Sequence, residues 1–195
     1  MNDLGTSTIL TPDELLALPD GDSYELIDGH PVEKHMGGES SFVGGRISHR
    51  LMQYQEQHPG GWVLPSDAGY RCFPGRPKLV RKPDVSFIRH GRLPGERIPR
   101  GDILISPDLA VEVVSPNDLY NEVDVKVSEY LDVGVSLVWV VNPEARTACV
   151  YRPDGTARRL RENDEIDGGD VLPGFRCRLA EFFPPPPAEQ APGNS

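Results

Sequence analysis

The sequence lacks the features of secreted, disulfide-stabilised and membrane-spanning proteins. It has only three cysteines in 195 residues and no Cys-x-x-Cys pair, so neither a disulfide framework nor a cysteine-based zinc site is predicted. No apolar run approaches the roughly 20 residues that a membrane-spanning helix needs. The N-terminus has no basic segment followed by an apolar one, so no secretion signal is predicted. We therefore expect a cytoplasmic protein with reduced thiols and no contact with a membrane.

Several common enzyme motifs are also missing. There is no Gly-x-Ser-x-Gly turn for a serine hydrolase, and no glycine-rich phosphate loop followed by Lys and Ser or Thr. The five histidines show neither His-x-x-x-His spacing nor pairing with a cysteine. These absences argue against a serine hydrolase, a P-loop enzyme and a histidine-based zinc enzyme.

The charge distribution is uneven. The formal net charge of −10 argues against a general nucleic-acid binder. Residues 71–100 differ, because nine basic and two acidic residues give this segment +7 and leave −17 for the rest of the chain. Such a segment would attract a phosphate backbone, although a solvated arginine-rich loop explains it equally well.

The residue pattern predicts helices and strands in one domain over residues 1–183, followed by a disordered proline-rich tail at 184–195. Helices are predicted at 11–18, 40–58 and 118–132, the last closed by Gly134. A hairpin is predicted over 24–36, turning at Asp28-Gly29. Further strands are predicted at 62–64, 68–73, 83–88, 109–115, 136–141 and 148–152, with a long loop over 89–107.

Two acidic residues lie in apolar strands, where an unpaired charge is costly. Asp84 follows Pro83 at the start of one strand, and Glu112 is the only charged residue in the other. If the two strands are neighbours, both carboxylates converge at one end of the sheet. Two carboxylates and a backbone carbonyl can hold Mg²⁺. Simpler explanations are a turn or cap role for the aspartate and a salt bridge for the glutamate.

A lysine on the following helix can reach these acids. Alternation along the strand puts Glu112 on the face that this helix should cover. The helical wheel places Lys126 on the flank of the packing face, which comprises Leu119, Val123, Val127, Tyr130 and Leu131. Its ammonium could orient an attacking water or stabilise charge on a phosphate. Lys126 could equally be the salt-bridge partner of Glu112, or its aliphatic stem could cover part of the core.

Six segments together resemble one nuclease family. They are YELIDG, RKPDVSF, PDLAVEVVSPND, KVSEYLDVGV, VWVVNP and VLPGF, spread over residues 11–183. This combination resembles the Uma-type restriction endonuclease family of the PD-(D/E)XK nuclease superfamily. The resemblance implies an α/β (α+β) fold of the restriction endonuclease-like type, with a mixed sheet flanked by helices.

The resemblance also implies roles for particular residues. Asp84 and Glu112 match the two acids of the motif, while Val114 occupies the position of the motif lysine. The family resemblance moves this lysine to the next helix, at Lys126. Glu25, in YELIDG, completes the acidic cluster or is an ordinary strand residue.

Two functional hypotheses follow from the sequence. The first is a DNA endonuclease that uses Mg²⁺ or Mn²⁺ held by Asp84, Glu112 and the Val113 carbonyl. We expect a homodimer, with the apolar residues around Trp139 and Phe182-Phe183 as candidate interface. The second is a non-catalytic module with a nuclease fold that binds nucleic acid or a protein. DNA sequence specificity, the choice of DNA over RNA and the physiological target are not encoded in these motifs.

Overall fold

The computed structural model describes residues 9–34, 36–116 and 118–185. Its helices are α1 (Pro12–Leu16), α2 (Gly38–Gln57) and α3 (Tyr120–Asp132). Its strands are β1 (Tyr24–Ile27), β2 (His30–Glu33), β3 (Gly61–Pro65), β4 (Val85–Arg89), β5 (Leu109–Val113), β6 (Leu137–Asn142), β7 (Thr147–Tyr151), β8 (Ala157–Arg161), β9 (Glu165–Asp167) and β10 (Arg176–Arg178). Short 3₁₀ turns cover Gly21–Ser23, Pro94–Glu96 and Leu179–Phe182.

A six-stranded mixed sheet organises these elements. Its strand order is β3-β4-β5-β6-β7-β8, and every neighbouring pair is antiparallel except β5 with β6. That pair is parallel because α3 connects the two strands as a crossover. The hairpins β1–β2 and β9–β10 form separate two-stranded sheets. The mixed sheet flanked by helices confirms the fold class predicted from the sequence.

The sheet separates two hydrophobic clusters. On one face, α2 packs Val43, Ile47 and Leu51 against Val111 and Val113 of β5 and their neighbours. On the other face, Val127 and Tyr130 of α3 pack against Ala110 of β5 and Val138 of β6. Successive residues of β5 therefore point to different clusters, as strand geometry requires. Glu112 points to the α3 side, as the sequence predicted.

Two turns follow directly from local sequence. Asp28 and Gly29 both have positive φ, 51° and 89°, as the two-residue turn of a β-hairpin demands. Gly134 has φ 86° just after α3, a left-handed conformation that ends a helix without a Cβ clash. The predicted hairpin and helix end are therefore both confirmed.

The strand predicted at 68–73 is wrong. In this segment only Tyr70 makes β-bridges, one with Arg81 and one with Ile103. Gly69 lies within the segment and Pro74-Gly75 follow it, and such residues favour irregular backbone over a ladder. Helix α3 also starts at Tyr120, which leaves Leu119 exposed at the N-cap position and not on the packing face.

The candidate dimer interface is also wrong. Trp139, Phe182 and Phe183 are all buried in the cluster beneath α2, so these side chains are not available to a partner. The tail from residue 186 onward lies outside the described residues. None of the described helices is both long and apolar enough to cross a membrane.

Candidate active site

A cavity of about 290 Å³ opens between the C-terminal end of β5, the β1–β2 hairpin and α3. All of the site residues expected from the sequence line it: Glu25, Asp84, Glu112, Val113 and Lys126. Lys34 and Arg81, for which the sequence predicted no role in the site, also line it. The cavity therefore brings together side chains from four separate segments of the chain.

The β4–β5 pairing sets the two candidate acids opposite one another. The Asp84 N–H donates to the Val111 carbonyl at 2.9 Å, and Asp84 Oδ2 accepts from the Val113 N–H at 2.6 Å. Both carboxylates are buried, with 4% of Asp84 and 6% of Glu112 exposed. The predicted convergence of the two strands is confirmed. Because the N–H and C=O of a strand residue point to the same edge, the Val113 carbonyl faces the Asp84 side.

Glu112 is held by two donors from α3. Tyr130 Oη donates to its Oε1 at 2.6 Å, and Lys126 Nζ donates to its Oε2 at 3.1 Å. Burial raises the pKa of Glu112 and the nearby charge of Asp84 raises it further, against the opposing effect of Lys126. The carboxylate is thus fixed in position while its ionised form remains costly, which favours binding of a cation.

Lys126 lies between two carboxylates. Its Nζ is 3.1 Å from Glu112 Oε2 and 3.4 Å from Glu25 Oε1. Burial alone would lower the pKa of Lys126, but Glu112 and Glu25 outweigh it and raise the pKa above its ordinary value. The side chain is therefore a protonated donor at neutral pH and not a general base.

Glu25 makes contacts that occupy both of its oxygens. Oε1 accepts from the Lys82 N–H at 2.9 Å, and Oε2 accepts from Arg81 Nη1 at 2.9 Å. Burial opposes ionisation, but Lys126 and Arg81 outweigh it and lower the pKa of Glu25. This geometry makes Glu25 a counter-ion that positions the two cations.

Three residues of the site were missed in the sequence. Arg81 bridges Glu25 and Glu129, with Nε 2.7 Å from Glu129 Oε2. Tyr130 was placed on the packing face without a role for its hydroxyl. Lys34, the residue after β2, has Nζ 2.7 Å from Asp84 Oδ1. The one signal that the sequence did offer was an arginine two residues before Pro83-Asp84, namely Arg81.

Most of the basic segment at residues 71–100 is not free for a phosphate. Ion pairs join Arg71 to Asp13, Arg76 to Asp28 and Glu129, Arg81 to Glu25 and Glu129, and both Arg89 and Arg92 to Asp108. The Lys82 ammonium is buried against the carbonyls of Gly21 and Asp22. Acidic residues from the remainder of the chain thus fold back onto this segment and neutralise much of its charge.

The donor set fits a hard divalent cation. Asp84 Oδ1 is buried without a hydrogen bond, because the nearby Lys34 Nζ makes ion-pair contact without hydrogen-bond geometry. Over the part of the chain that the structure describes, no three acidic, histidine or cysteine side chains cluster as a metal site. Two carboxylates and a carbonyl suit Mg²⁺ or Mn²⁺, since Mg²⁺ binds through one or two carboxylates and keeps several waters.

Comparisons with known proteins agree with this architecture. The structure is similar to the crystal structure of "a putative nuclease belonging to DUF820" from Anabaena variabilis, with a TM-score of 0.74. The two are 22% identical, and the match covers 89% of this chain and 97% of the other, which shows a shared fold. No curated protein matches the sequence. A family model described as "Putative restriction endonuclease" matches residues 12–180, so the chain belongs to the Uma2 family.

Proposed function

We propose that the protein is a metal-dependent endonuclease that hydrolyses phosphodiester bonds of DNA. One observation carries the proposal: two buried carboxylates, Asp84 and Glu112, converge beside a protonated lysine, and one aspartate oxygen is left without a hydrogen bond. Family membership supports nuclease activity. Three unpaired cysteines fit a reducing compartment such as the cytoplasm.

The residues of the cavity would have different roles in the reaction. Asp84, Glu112 and the Val113 carbonyl would hold Mg²⁺ or Mn²⁺, which supplies positive charge that polarises a phosphate and acidifies water. Lys126 donates from its ammonium to the attacking water or to a phosphate oxygen, where negative charge develops. Tyr130 and Glu25 act through these groups, since the first fixes Glu112 and the second fixes Lys126.

An exposed arginine of the outer strand β8 supports a nucleic-acid substrate. Cross-strand pairing aligns Glu112, Val140, Cys149 and Arg159 in one row on the α3 side of the sheet. Arg159 is exposed and forms no ion pair with any described residue. It lines a groove that shares Asp118 and Val123 with the candidate active site. A phosphate backbone leaving the site across this face would meet the arginine.

A homodimer suits this proposal, because one site per chain cuts one strand and a duplex has two. Each copy would contribute one cavity. The interface would have to use exposed residues, since the apolar residues first considered for it lie in the core.

A second candidate function is a non-catalytic nuclease-fold module. The ion pairs of the cavity favour it, because each of the three carboxylates already has a cationic partner: Glu25 with Arg81, Asp84 with Lys34, and Glu112 with Lys126. A module of this kind would bind nucleic acid or a protein without cutting.

Plasmid cleavage by an Asp84→Asn variant tests the proposal. We expect the wild type to nick supercoiled DNA with Mg²⁺ or Mn²⁺ and to be inactive with chelator. The variant keeps the side-chain shape but loses a charged ligand, so its rate should fall at least about a hundredfold. Circular dichroism should show an unchanged fold. Cleavage by the folded variant at the wild-type rate would contradict the assignment.

A further inference from the structure

Lys34 extends from the end of the β1–β2 hairpin into the cavity. Its Nζ lies 2.7 Å from Asp84 Oδ1 and donates to the Lys82 carbonyl at 2.6 Å. Only 12% of the side chain is exposed. No part of the nuclease chemistry proposed above uses this ammonium.

The ammonium occupies the position that a metal ligand would need to keep open. Asp84 Oδ2 is already engaged by the Val113 N–H, so Oδ1 is the oxygen left for a cation. Oδ1 is buried and has no hydrogen bond, and its contact with Lys34 is ionic. A metal ion on Oδ1 would lie close to the Lys34 ammonium, and the two positive charges repel each other strongly in a buried site, so they compete.

The charges of the cavity lead to the same conclusion. The buried and half-buried groups comprise three negative and three positive charges: Glu25, Asp84 and Glu112, and Lys34, Arg81 and Lys126. Three further carboxylates of the lining, Glu33, Asp118 and Glu122, are exposed to solvent. A divalent cation at Asp84 would add two positive charges to the buried set unless a resident cation withdrew. Burying uncompensated charge is costly, so binding favours withdrawal.

Lys34 is the cation most able to withdraw. Arg81 is held by two carboxylates, Glu25 and Glu129, and Lys126 is held by Glu25 and Glu112. Lys34 has one carboxylate and one carbonyl, and it follows a strand whose own residues are mostly exposed. Its aliphatic stem can carry the ammonium to solvent at the mouth of the cavity.

We propose that Lys34 is a built-in competitor for the divalent cation, which neutralises Asp84 in the metal-free protein and gives way when metal binds. This inference rests on the metal site of the proposed function. It makes Lys34 the residue that sets the metal concentration at which the enzyme becomes active.

Lys34→Met removes the competing charge and keeps the length of the side chain. Charged groups that act on each other's binding typically change an affinity by about 5–150-fold, so without the ammonium Mg²⁺ and Mn²⁺ should bind the variant about tenfold more tightly or better. In chelator the variant should melt below the wild type, because Asp84 then lacks its counter-ion. Added metal should raise its melting temperature more than that of the wild type.

Titration calorimetry with MgCl₂ and MnCl₂, and thermal melts in chelator and in excess metal, measure both effects. Lys78→Met is the matched control, because this exposed lysine forms no ion pair with a described residue. Should Lys34→Met not fold, Lys34→Gln retains a donor for the Lys82 carbonyl and should show the same shift. The proposal is supported if the Lys34 variant binds Mg²⁺ or Mn²⁺ more tightly than the wild type and the Lys78 variant does not.

Two results would overturn it in different ways. Equal metal affinity in wild type, Lys34 variant and control would reject competition while leaving the metal site itself intact. Failure of all three folded proteins to bind either metal would reject the competition and the metal-dependent function together.

Discussion

Arg81 illustrates how much of this site depends on single buried charges. Its guanidinium contacts Glu25 and Glu129, and only 4% of the side chain is exposed. Burial lowers the pKa of Arg81, but the two glutamates outweigh that effect and raise it. The guanidinium therefore stays charged and holds two carboxylates in place behind Lys126.

Substituting Arg81→Met should strongly destabilise the fold. The change leaves two carboxylates without their buried partner, and breaking such a pair costs about 3–5 kcal/mol. Arg71→Met is the matched control, because Arg71 pairs with Asp13 at the surface, where such pairs contribute about 0–1 kcal/mol. Urea unfolding measures both free energies. Equal losses in the two variants would show that Arg81 is not a structural anchor.

The pH dependence of thiol labelling tests how far burial raises the pKa of the cysteines. Burial raises the pKa of Cys72 to about 11 and of Cys177 to about 12. Only the thiolate reacts, so at pH 8 about one Cys72 side chain in a thousand is reactive. Iodoacetamide labelling, read by mass spectrometry, should be slow at pH 8 and rise about tenfold per pH unit up to pH 10.

The control for this labelling is the protein unfolded in urea, in which both thiols should react quickly at pH 8. Fast labelling of the half-buried Cys72 or Cys177 in the folded protein at pH 8 would show that burial does not raise the pKa of these thiols.

Individual site residues were predictable to different degrees. The placement of Asp84, Glu112 and Lys126 followed from the sequence, because charge in an apolar strand is conspicuous and alternation fixes its face. The position of Lys34 did not, because it depends on how the β1–β2 hairpin docks. That docking uses a bridge between Leu26 and Val80, which no local pattern predicts.

At the scale of elements, β4, β5 and α3 together build the site. The antiparallel β4–β5 pair aligns the acids, and the crossover through α3 returns a lysine and a tyrosine over the same strand end. Local signals predicted these elements and both turns at Gly29 and Gly134. The strand expected at 68–73 is wrong because its apolar residues pack into the hydrophobic cluster on the α3 side of the sheet, while only Tyr70 makes β-bridges.

The outer strand β8 allows a paired test of nucleic-acid binding. Arg158 and Arg159 are neighbours in sequence but point to opposite faces of the sheet, and only Arg159 is on the face of Glu112. Arg159→Ala should weaken DNA binding and reduce the slope of log affinity against log salt by about 1. Arg158→Ala should leave both unchanged.

Fluorescence anisotropy with a labelled duplex, at several salt concentrations and with chelator to prevent cleavage, measures both properties. If Arg158→Ala and Arg159→Ala changed the DNA affinity equally, the DNA backbone would not follow the α3 face of the sheet.

At the scale of the whole molecule, folding brings acidic and basic residues that are distant in sequence into contact. The chain carries −10 overall, and from the sequence the basic segment at 71–100 was equally consistent with a phosphate-binding surface and with a solvated loop. Its arginines instead pair with acids that are distant in sequence, such as Asp13 and Glu129. Such long-range pairing is invisible to a count of charge along the chain. The fold class followed from the family resemblance of six segments, whereas most helices, strands and turns followed from local periodicity and turn signals.

The metal-dependent nuclease proposed here depends on a protonated lysine on α3 and on two strand-borne acids. Lys126→Gln tests it most directly, because the amide can still donate to Glu112 but carries no positive charge. Wild type, Lys126→Gln and the surface control Lys78→Gln would be incubated with supercoiled plasmid in Mg²⁺, in Mn²⁺ and in chelator.

We predict that wild type and control nick the plasmid in either metal and not in chelator, and that the folded Lys126→Gln variant loses at least about a hundredfold in rate. Metal-dependent nicking by Lys126→Gln at the wild-type rate would contradict the role of Lys126. Absence of nicking by the wild type in both metals would contradict the account as a whole and favour the non-catalytic module.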